Sequence, residues 1–495
     1  MLFNSWSFVV FLVVTFGLYH FLPWPNGKRI WCQIGLLTMA SYVFYAWHTP
    51  WLIVILALST WINAYVTLKL VSPVTRPDRR KMWLLTAICT NLGVLAFFKY
   101  ASLIVRTFLP QAWWAHLGWD ISKIPLPVGI SFFTFQGISL VVDVYRAGPN
   151  GIPGIEPPHS RRESGELFLR MAFFKAFFPQ LVAGPIVKAH EFMYQIRAKS
   201  LDDVHWDDAV KKLILGFFLK MVVADNLREA TSALSFPGFV GLPGINLLFL
   251  LYGFSFQIFA DFAGYSLIAM GLARLFGYKL PINFDFPYLS QSITEFWRRW
   301  HISLSSWLKQ YLYFPLGGNR KGAARTYFNL MLVMLLGGLW HGAAWSYMVW
   351  GGAHGLFLAT ERLFGTWRER MPVLRMPVSV ARALAVFRTL ATFHIASFLW
   401  LLFQLPKFDE AVLYMRELAA WHPGLQPQAM FAIVLFSSPV VLYHLAGFAK
   451  QRWSVNWAMS SPRMYGWASN MGYAILLFLI LTNSGNAGAF IYFQF

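Results

Sequence analysis

NLMLVMLLGGLWHGAAWSYMVWGGAHGLFL, residues 329–358, decides how the chain is read. His341 stands in it between Trp340 and Gly342. Residues 330–339 carry no charge, and residues 343–358 carry no Lys, Arg, Asp or Glu, only a second histidine, His354. A membrane-crossing helix takes about 20 apolar residues. The first run is too short to cross alone, so the two segments are expected to abut deep in a membrane, with an imidazole where they meet. Ionisable groups at that depth are costly and face a protein interior or a wet cavity. Gly337, Gly338, Gly342, Gly351, Gly352 and Gly355 allow backbones or a ligand to approach closely.

The composition agrees. The 495 residues are 57% hydrophobic and 13% charged, against about 25% charged in soluble chains. The expected class is an all-α polytopic membrane protein. The net charge of +20 does not call for nucleic acid. Lys and Arg gather in cytoplasmic loops by the positive-inside rule, and they also hold anionic lipid heads or an anionic substrate. Cys32 and Cys89 lie in hydrophobic runs outside any CxxC, so no disulfide or zinc site is expected. The opening MLFNSWSFVVFLVVTF lacks a basic leader and reads as a first span.

Hydrophobic windows place spans near 5–22, 31–47, 51–71, 82–105 and 124–144. Lys28 and Arg29 follow the first. Arg76, Arg79, Arg80 and Lys81 follow the third. Both loops are therefore expected to be cytoplasmic and the N-terminus outside. Asp143 and Arg146 close the fifth span as an interfacial pair. Residues 167–199 carry basic flanks on both sides and Pro179, Gly184 and Pro185 in the middle, the pattern of a re-entrant hairpin. Spans follow near 210–228, with Lys220 and Asp225, and near 245–272, with Asp261. That acid is either a structural hydrogen-bond hub or part of a functional cavity.

Residues 274–325 are the most basic stretch. Within them SITEFWRRWHISLSSWLKQYLYF reads as one amphipathic helix lying in or near the membrane plane. Ser292 and Glu295 have capping-box spacing, and Phe296, Trp300, Trp307, Tyr311 and Phe314 form an aromatic stripe. Segments 327–340 and 343–360 follow, then a basic loop (Arg362, Arg368, Arg370, Arg375, Arg382, Arg388). Spans near 389–405, 428–448 and 465–484 complete the chain, with Lys450, Arg452 and Arg463 in a last inner loop. The total is about twelve spans plus the re-entrant hairpin and the amphipathic helix, in one integral membrane domain over residues 1–495, with both termini outside.

No Walker A, GxSxG or GxGxxG stands in a supporting context, and His190-Glu191 lacks the second histidine of a zincin. The chemistry left is a set of buried or interfacial polar groups: His341, His301, Asp261, Asp143 and Arg298–Arg299. His354 reads as a packed histidine. A neutral imidazole in a dry tunnel is a suitable general base, and positioned proton transfer contributes about 10²–10⁴-fold. A hydrogen-bonded core histidine is the alternative reading of His341, and a gated sugar transporter is the alternative for the chain.

Six blocks then resemble one family. They are LPVGISFFTFQGISLVVDVYR, FFPQLVAGPIVKAHEF, FQIFADFAGYSLIAMG, FDFPYLSQSITEFWRRWHISLSSWLKQYLYFPLGGNR, GGLWHGAAWSYMVWGGAHG and FIYFQF. Together they are similar to membrane-bound O-acyltransferases, in the bacterial branch that acetylates polysaccharides such as alginate. The resemblance implies a ring of tilted helices around a thin centre with a cytoplasmic funnel. It makes His341 the catalytic residue and His301 the other signature histidine. It also implies acetyl-CoA as acyl donor with no metal. The implied partners are an SGNH-type periplasmic acyltransferase, polysaccharide synthesis machinery and membrane lipids of a bacterial inner membrane. Arg298, Arg299, Lys309, Arg320 and Lys321 are the expected phosphate-binding cations, with Trp297 and Trp340 beside them. Asp261, Tyr265 and Asn319 are expected to support, Asp261 through a hydrogen bond to a histidine. Action on a lipid or a protein is the alternative within the family. Two departures stand out: Ala260 precedes Asp261 where relatives often have Tyr-Phe, and Phe403-Gln404 replaces Phe-Arg.

Overall fold

A computed structural model describes all residues except 26, 111–124, 369–375, 454–461, 487, 489 and 492–495, and leaves out the side chains of 367–368, 450–453 and 462–465. The expected loop charges Arg368, Arg370, Arg375, Lys450, Arg452 and Arg463 lie outside the described residues or side chains, as does all of FIYFQF beyond Phe490 and Ile491. The described chain is helical, with one isolated bridge between Ile152 and Ile155. Among the described residues six helices are long and apolar enough to cross a membrane, and Trp6–Phe21 and Gly466–Thr482 are shorter apolar helices. Large apolar side chains such as Trp6, Val13, Leu58, Phe431, Leu442 and Leu481 are exposed, as a surface solvated by lipid requires. The chain is a multi-pass membrane protein.

The helices fall into two compact units. Residues 1–213 with 266–281 form the first, and 214–265 with 282–495 the second. In the first unit α1 (Trp6–Phe21), α2 (Arg29–Ala46), α3 (Ile53–Val71), α4 (Pro77–Phe108), α5 (Ile130–Ala147) and α6 (Arg161–Ala176) cover the expected early spans. Three of them are joined by polar groups. Asn63 of α3 and Asn91 of α4 exchange amide hydrogen bonds at 3.2 and 2.9 Å. Both sit on Gly137 of α5, where a Cβ would fall 2.8 Å from Asn91 Oδ1. A small residue under an amide pair is a common way to join helices in lipid, where apolar contact alone favours no partner.

The expected re-entrant stretch is broken as its prolines and glycine require. α6 stops at Ala176, one turn follows at Phe178–Leu181, and the backbone then runs extended to another turn at Ala189–Phe192. Residues 171–189 are all buried. Irregular backbone is thus covered by protein, the condition under which membrane proteins tolerate it. Asp143, near the end of α5, meets this stretch: His190 donates its backbone N–H at 3.3 Å and places Nδ1 2.8 Å from Asp143 Oδ2.

The second unit contains the quoted stretch. α7 (Asp225–Ala230) follows a π-turn at Phe218–Ala224, and α8 (Gly244–Leu275) is a 32-residue helix whose length up to Tyr265 belongs here. Then come α9 (Ile293–Arg299), α10 (Ile302–Leu308), α11 (Ala323–His341), α12 (Trp345–Arg368), α13 (Val378–Gln404), α14 (Phe408–Ala420), α15 (Pro427–Ala449) and α16 (Pro462–Thr482). The helix α14 lies between two expected spans and was not anticipated. Asp409 and Glu410 in its first turn suit a helix N-terminus.

Candidate active site

α11 and α12 form a tight hairpin. The first run is not too short to cross: the helix begins at Ala323, and 19 residues lead to His341. Thr326 and Asn329 let it start before the apolar run by turning inward: Thr326 Oγ1 donates to Gly322 O, and Asn329 Nδ2 to Gly318 O. The two helices meet at glycines. A Cβ on Gly351 would lie 3.0 Å from Gly338 Cα, and one on Gly338 would lie 3.1 Å from Gly351 Cα. Gly342 ends α11, and the Tyr347 ring fills the space a side chain would need there. His341 is therefore the last residue of a helix clamped along its length.

His341 is 4% exposed. Its ring meets Trp340 at 5.0 Å, Trp350 at 5.1 Å and Phe403 at 5.4 Å, centroid to centroid. His301 lies 6.3 Å away. The two signature histidines, 40 positions apart in sequence, thus face one another. His354 stays outside this pair. It is fully buried against Trp350 (4.9 Å) and Trp297 (5.2 Å), with neither ring nitrogen hydrogen-bonded among the described residues. That is the packed histidine expected.

His301 corrects the expected single amphipathic helix. α9 ends where Trp300 N donates to Phe296 O at 2.7 Å; His301 then takes φ of 44° and α10 starts one residue later. A left-handed conformation is uncommon for a residue with a side chain, and such strain gathers at functional sites. The break is held from outside. Ile302 N donates to Asn283 O at 3.0 Å, Ser303 Oγ to Asn283 Oδ1 at 2.6 Å, and Asp285 N to Arg299 O at 3.0 Å. The kink turns the His301 ring onto Phe262 at 4.6 Å and Trp340 at 5.9 Å. Without it, Trp300 and His301 would continue on faces set by helical periodicity.

The N-terminus of α9 is capped as expected by Ser292, whose Oγ accepts from Glu295 N at 3.0 Å. A second cap was not legible. Glu361 of α12 accepts from Ile293 N at 2.5 Å, Thr294 N at 2.8 Å and Thr294 Oγ1 at 2.7 Å. A carboxylate there is favourable at the positive helix end and ties α9 to the hairpin. Glu361→Ala is expected to remove about 1–3 kcal/mol of local stability. The result to look for is faster proteolysis around residue 294 in the variant; equal rates would mean that α9 is held elsewhere.

A cavity of about 340 Å³ runs between these elements. It is lined by Thr294, Trp297, Arg298, Leu304, Ser305, Leu308, Lys309, Tyr313, Leu330, Val333, Met334, Gly337, Gly338, His341, Trp350 and Leu358. Arg298 and Lys309 line it and are exposed, so two cations and a buried histidine share one apolar space. The other expected groups are not in its lining. Arg299 pairs with Glu295 at 2.8 Å. Asn319, Arg320 and Lys321 are exposed in the loop before α11. Trp340 packs against both histidines, and Tyr265 stacks on Phe490 at 4.4 Å. Asp261 is engaged elsewhere: Lys220 Nζ sits 2.8 Å from its Oδ1, and Ile491 N donates to its Oδ2 at 2.7 Å. Sequence reasoning missed Trp350 as a wall of this cavity and Phe403 as a neighbour of His341. The departure at Phe403-Gln404 was a faint signal, since Phe403 packs against His341, Trp350, Tyr347 and Trp400.

A buried imidazole at the end of an apolar cavity with cations along its wall suits acyl transfer inside a membrane. Residues 114–404 match the model of the membrane-bound O-acyltransferase family, a match that spans both histidine segments. The chain is 38% identical over 372 residues to a probable alginate O-acetylase of Pseudomonas putida, covering 74% of this chain and 71% of that protein. It is 34% identical over 438 residues to a peptidoglycan O-acetyltransferase of Helicobacter pylori, covering 84% and 79%. It is also 28% identical over 288 residues to a teichoic acid D-alanyltransferase of Bacillus subtilis, covering 55% and 67%. The chain belongs to the membrane-bound O-acyltransferase family, in its bacterial polysaccharide-acetylating branch, and is an O-acyltransferase.

Proposed function

We propose that this chain moves an acetyl group from cytosolic acetyl-CoA across a bacterial inner membrane to a hydroxyl on the far side. The acceptor belongs to a cell-envelope or secreted polysaccharide, reached through an SGNH-type partner acyltransferase and alongside the synthesis machinery. The whole chain acts as one acyltransferase domain with both termini outside. The observation that carries the reading is the shared cavity of His341, Arg298 and Lys309. The cations suit the phosphates of the donor, and the apolar wall suits its pantetheine arm. His341 takes the proton of the acceptor hydroxyl. The oxygen forms its bond to the thioester carbonyl, the carbon–sulfur bond breaks, and the thiolate leaves with a proton returned from the imidazole. His301 orients the donor or the acceptor. The acetyl group crosses while coenzyme A stays on its own side.

The test uses chain purified into nanodiscs, with labelled acetyl-CoA, an SGNH-type partner and a polysaccharide acceptor. Coenzyme A release coupled to label on the acceptor is expected. Binding of a lipid-linked sugar with no consumption of donor would support the transporter alternative instead. Within this reading, Arg298→Gln with Lys309→Gln is expected to raise the donor KM by roughly tenfold while kcat changes little, the pattern of lost uniform binding. An unchanged KM would remove the phosphate-binding role from both cations.

A further inference from the structure

Asp261 was expected beside a histidine, and its actual partners suggest a different role. Lys220 is 8% exposed and its Nζ lies 2.9 Å from Asp225 Oδ1 and 2.8 Å from Asp261 Oδ1. The lysine reaches both acids because the helix bulges into a π-turn at Phe218–Ala224, a distortion frequent near functional sites. α8 presses on that turn: a Cβ at Gly264 would fall 2.9 Å from Lys220 N. Two carboxylates around one ammonium leave an excess of acceptors, and a backbone donor from outside the cluster uses one of them, Ile491 N on Asp261 Oδ2.

Residues 483–486, ahead of this donor in the chain, are tied down at further points. Gly485 N donates to Met221 O at 2.9 Å, Asn226 Nδ2 to Asn483 O at 3.0 Å, and an Arg228 guanidinium N–H to Asn486 O at 2.7 Å. Asn486 also bonds Glu229. The result is a docked Phe490, 2% exposed, stacked on Tyr265 at 4.4 Å and 5.9 Å from Phe262. Phe262 in turn meets the His301 ring edge-on at 4.6 Å. All these groups lie in the second unit and outside the cavity lining.

We infer that Lys220, Asp225 and Asp261 form a clasp that docks residues 483–486 and 490–491 and, through Phe490 and Phe262, sets the orientation of His301. Lys220 and Asp261 are then positioning residues for acyl transfer. The inference rests on reading the His301–His341 pair as the reacting centre.

The first measurement needs no catalysis. In a Cys32→Ser/Cys89→Ser chain, Ile491→Cys is expected to react slowly with fluorescein maleimide, because Ile491 is 5% exposed. Adding Lys220→Met is expected to raise the labelling rate by about tenfold or more, since local opening exposes a protected group. The second measurement is turnover by Lys220→Met alone. A kcat lower by about tenfold with an unchanged donor KM is expected. Should Lys220→Met fail to accumulate, Gly485→Val displaces the segment without removing a charge from the cluster, because its Cβ would fall 2.8 Å from Asn226 N and 3.1 Å from Asp225 Cβ; the same two changes are expected. Unchanged labelling overturns the docking. Faster labelling with kcat intact overturns the link to His301. If the unaltered chain shows no turnover with donor, partner and acceptor, the acetyl-transfer reading has failed, and the labelling still decides the docking.

Discussion

A His341→Ala chain is expected to reach the normal protein level and to lose acyl transfer by at least about 10²-fold. A positioned base contributes roughly 10²–10⁴-fold, and His341 is the one imidazole in a lining whose other ionisable side chains are the cations Arg298 and Lys309 and the phenol of Tyr313. Folding should survive because the hairpin is held along its glycines rather than at its last residue. Coenzyme A release and acceptor labelling are the measurements, with His341→Gln as a companion that keeps a polar side chain but cannot exchange a proton at neutral pH. Both variants should fail alike. Full turnover in either would move the base elsewhere, with His301 next in line. A KM for the donor close to that of the parent chain would separate chemistry from binding.

Gly338→Leu is expected to act by the opposite route, through the fold. The added side chain would start 3.1 Å from Gly351 Cα and in the space of Tyr347 O. Neither is a flexible side-chain end, so the helices must part. Overpacking of this kind costs about 1–3 kcal/mol and more when backbone must move. The same displacement moves His341, and a shift of about 1 Å at a reacting group can cost roughly 10²-fold. The expected result is a lower unfolding temperature by fluorescence-detected size exclusion, together with loss of turnover in whatever protein remains folded. Gly365→Ala on the partner helix α12 is the control, because a Cβ there meets nothing within 4 Å. It should be neutral or stabilise by about 0.5–1 kcal/mol. Equal behaviour of the two variants would show that the close approach of α11 and α12 does not position His341.

The features legible in the chain are those carried by neighbours in sequence. Apolar runs placed the long helices, because lipid rewards any apolar window of sufficient length whatever it later packs against. Pro179, Gly184 and Pro185 announced broken backbone, since they remove or free hydrogen bonds locally. Ser292 announced the start of α9, because capping depends on residues three apart. His341 and His301 were found from their segments, and the family from the blocks around them. Other features depended on residues distant in sequence. His301 sits at a helix break that its own sequence does not encode, because the break is stabilised by Asn283 and Asp285 from a preceding loop. Asp261 pairs with Lys220 because a π-turn and Gly264 bring two helices within reach, and no periodicity reports that. Phe403 reaches His341 across 62 positions. Local propensity and hydropathy thus determined which segments form apolar helices and where the candidate histidines stand in the chain. Only tertiary packing decided which of those residues meet, because each meeting depends on partners contributed by other helices.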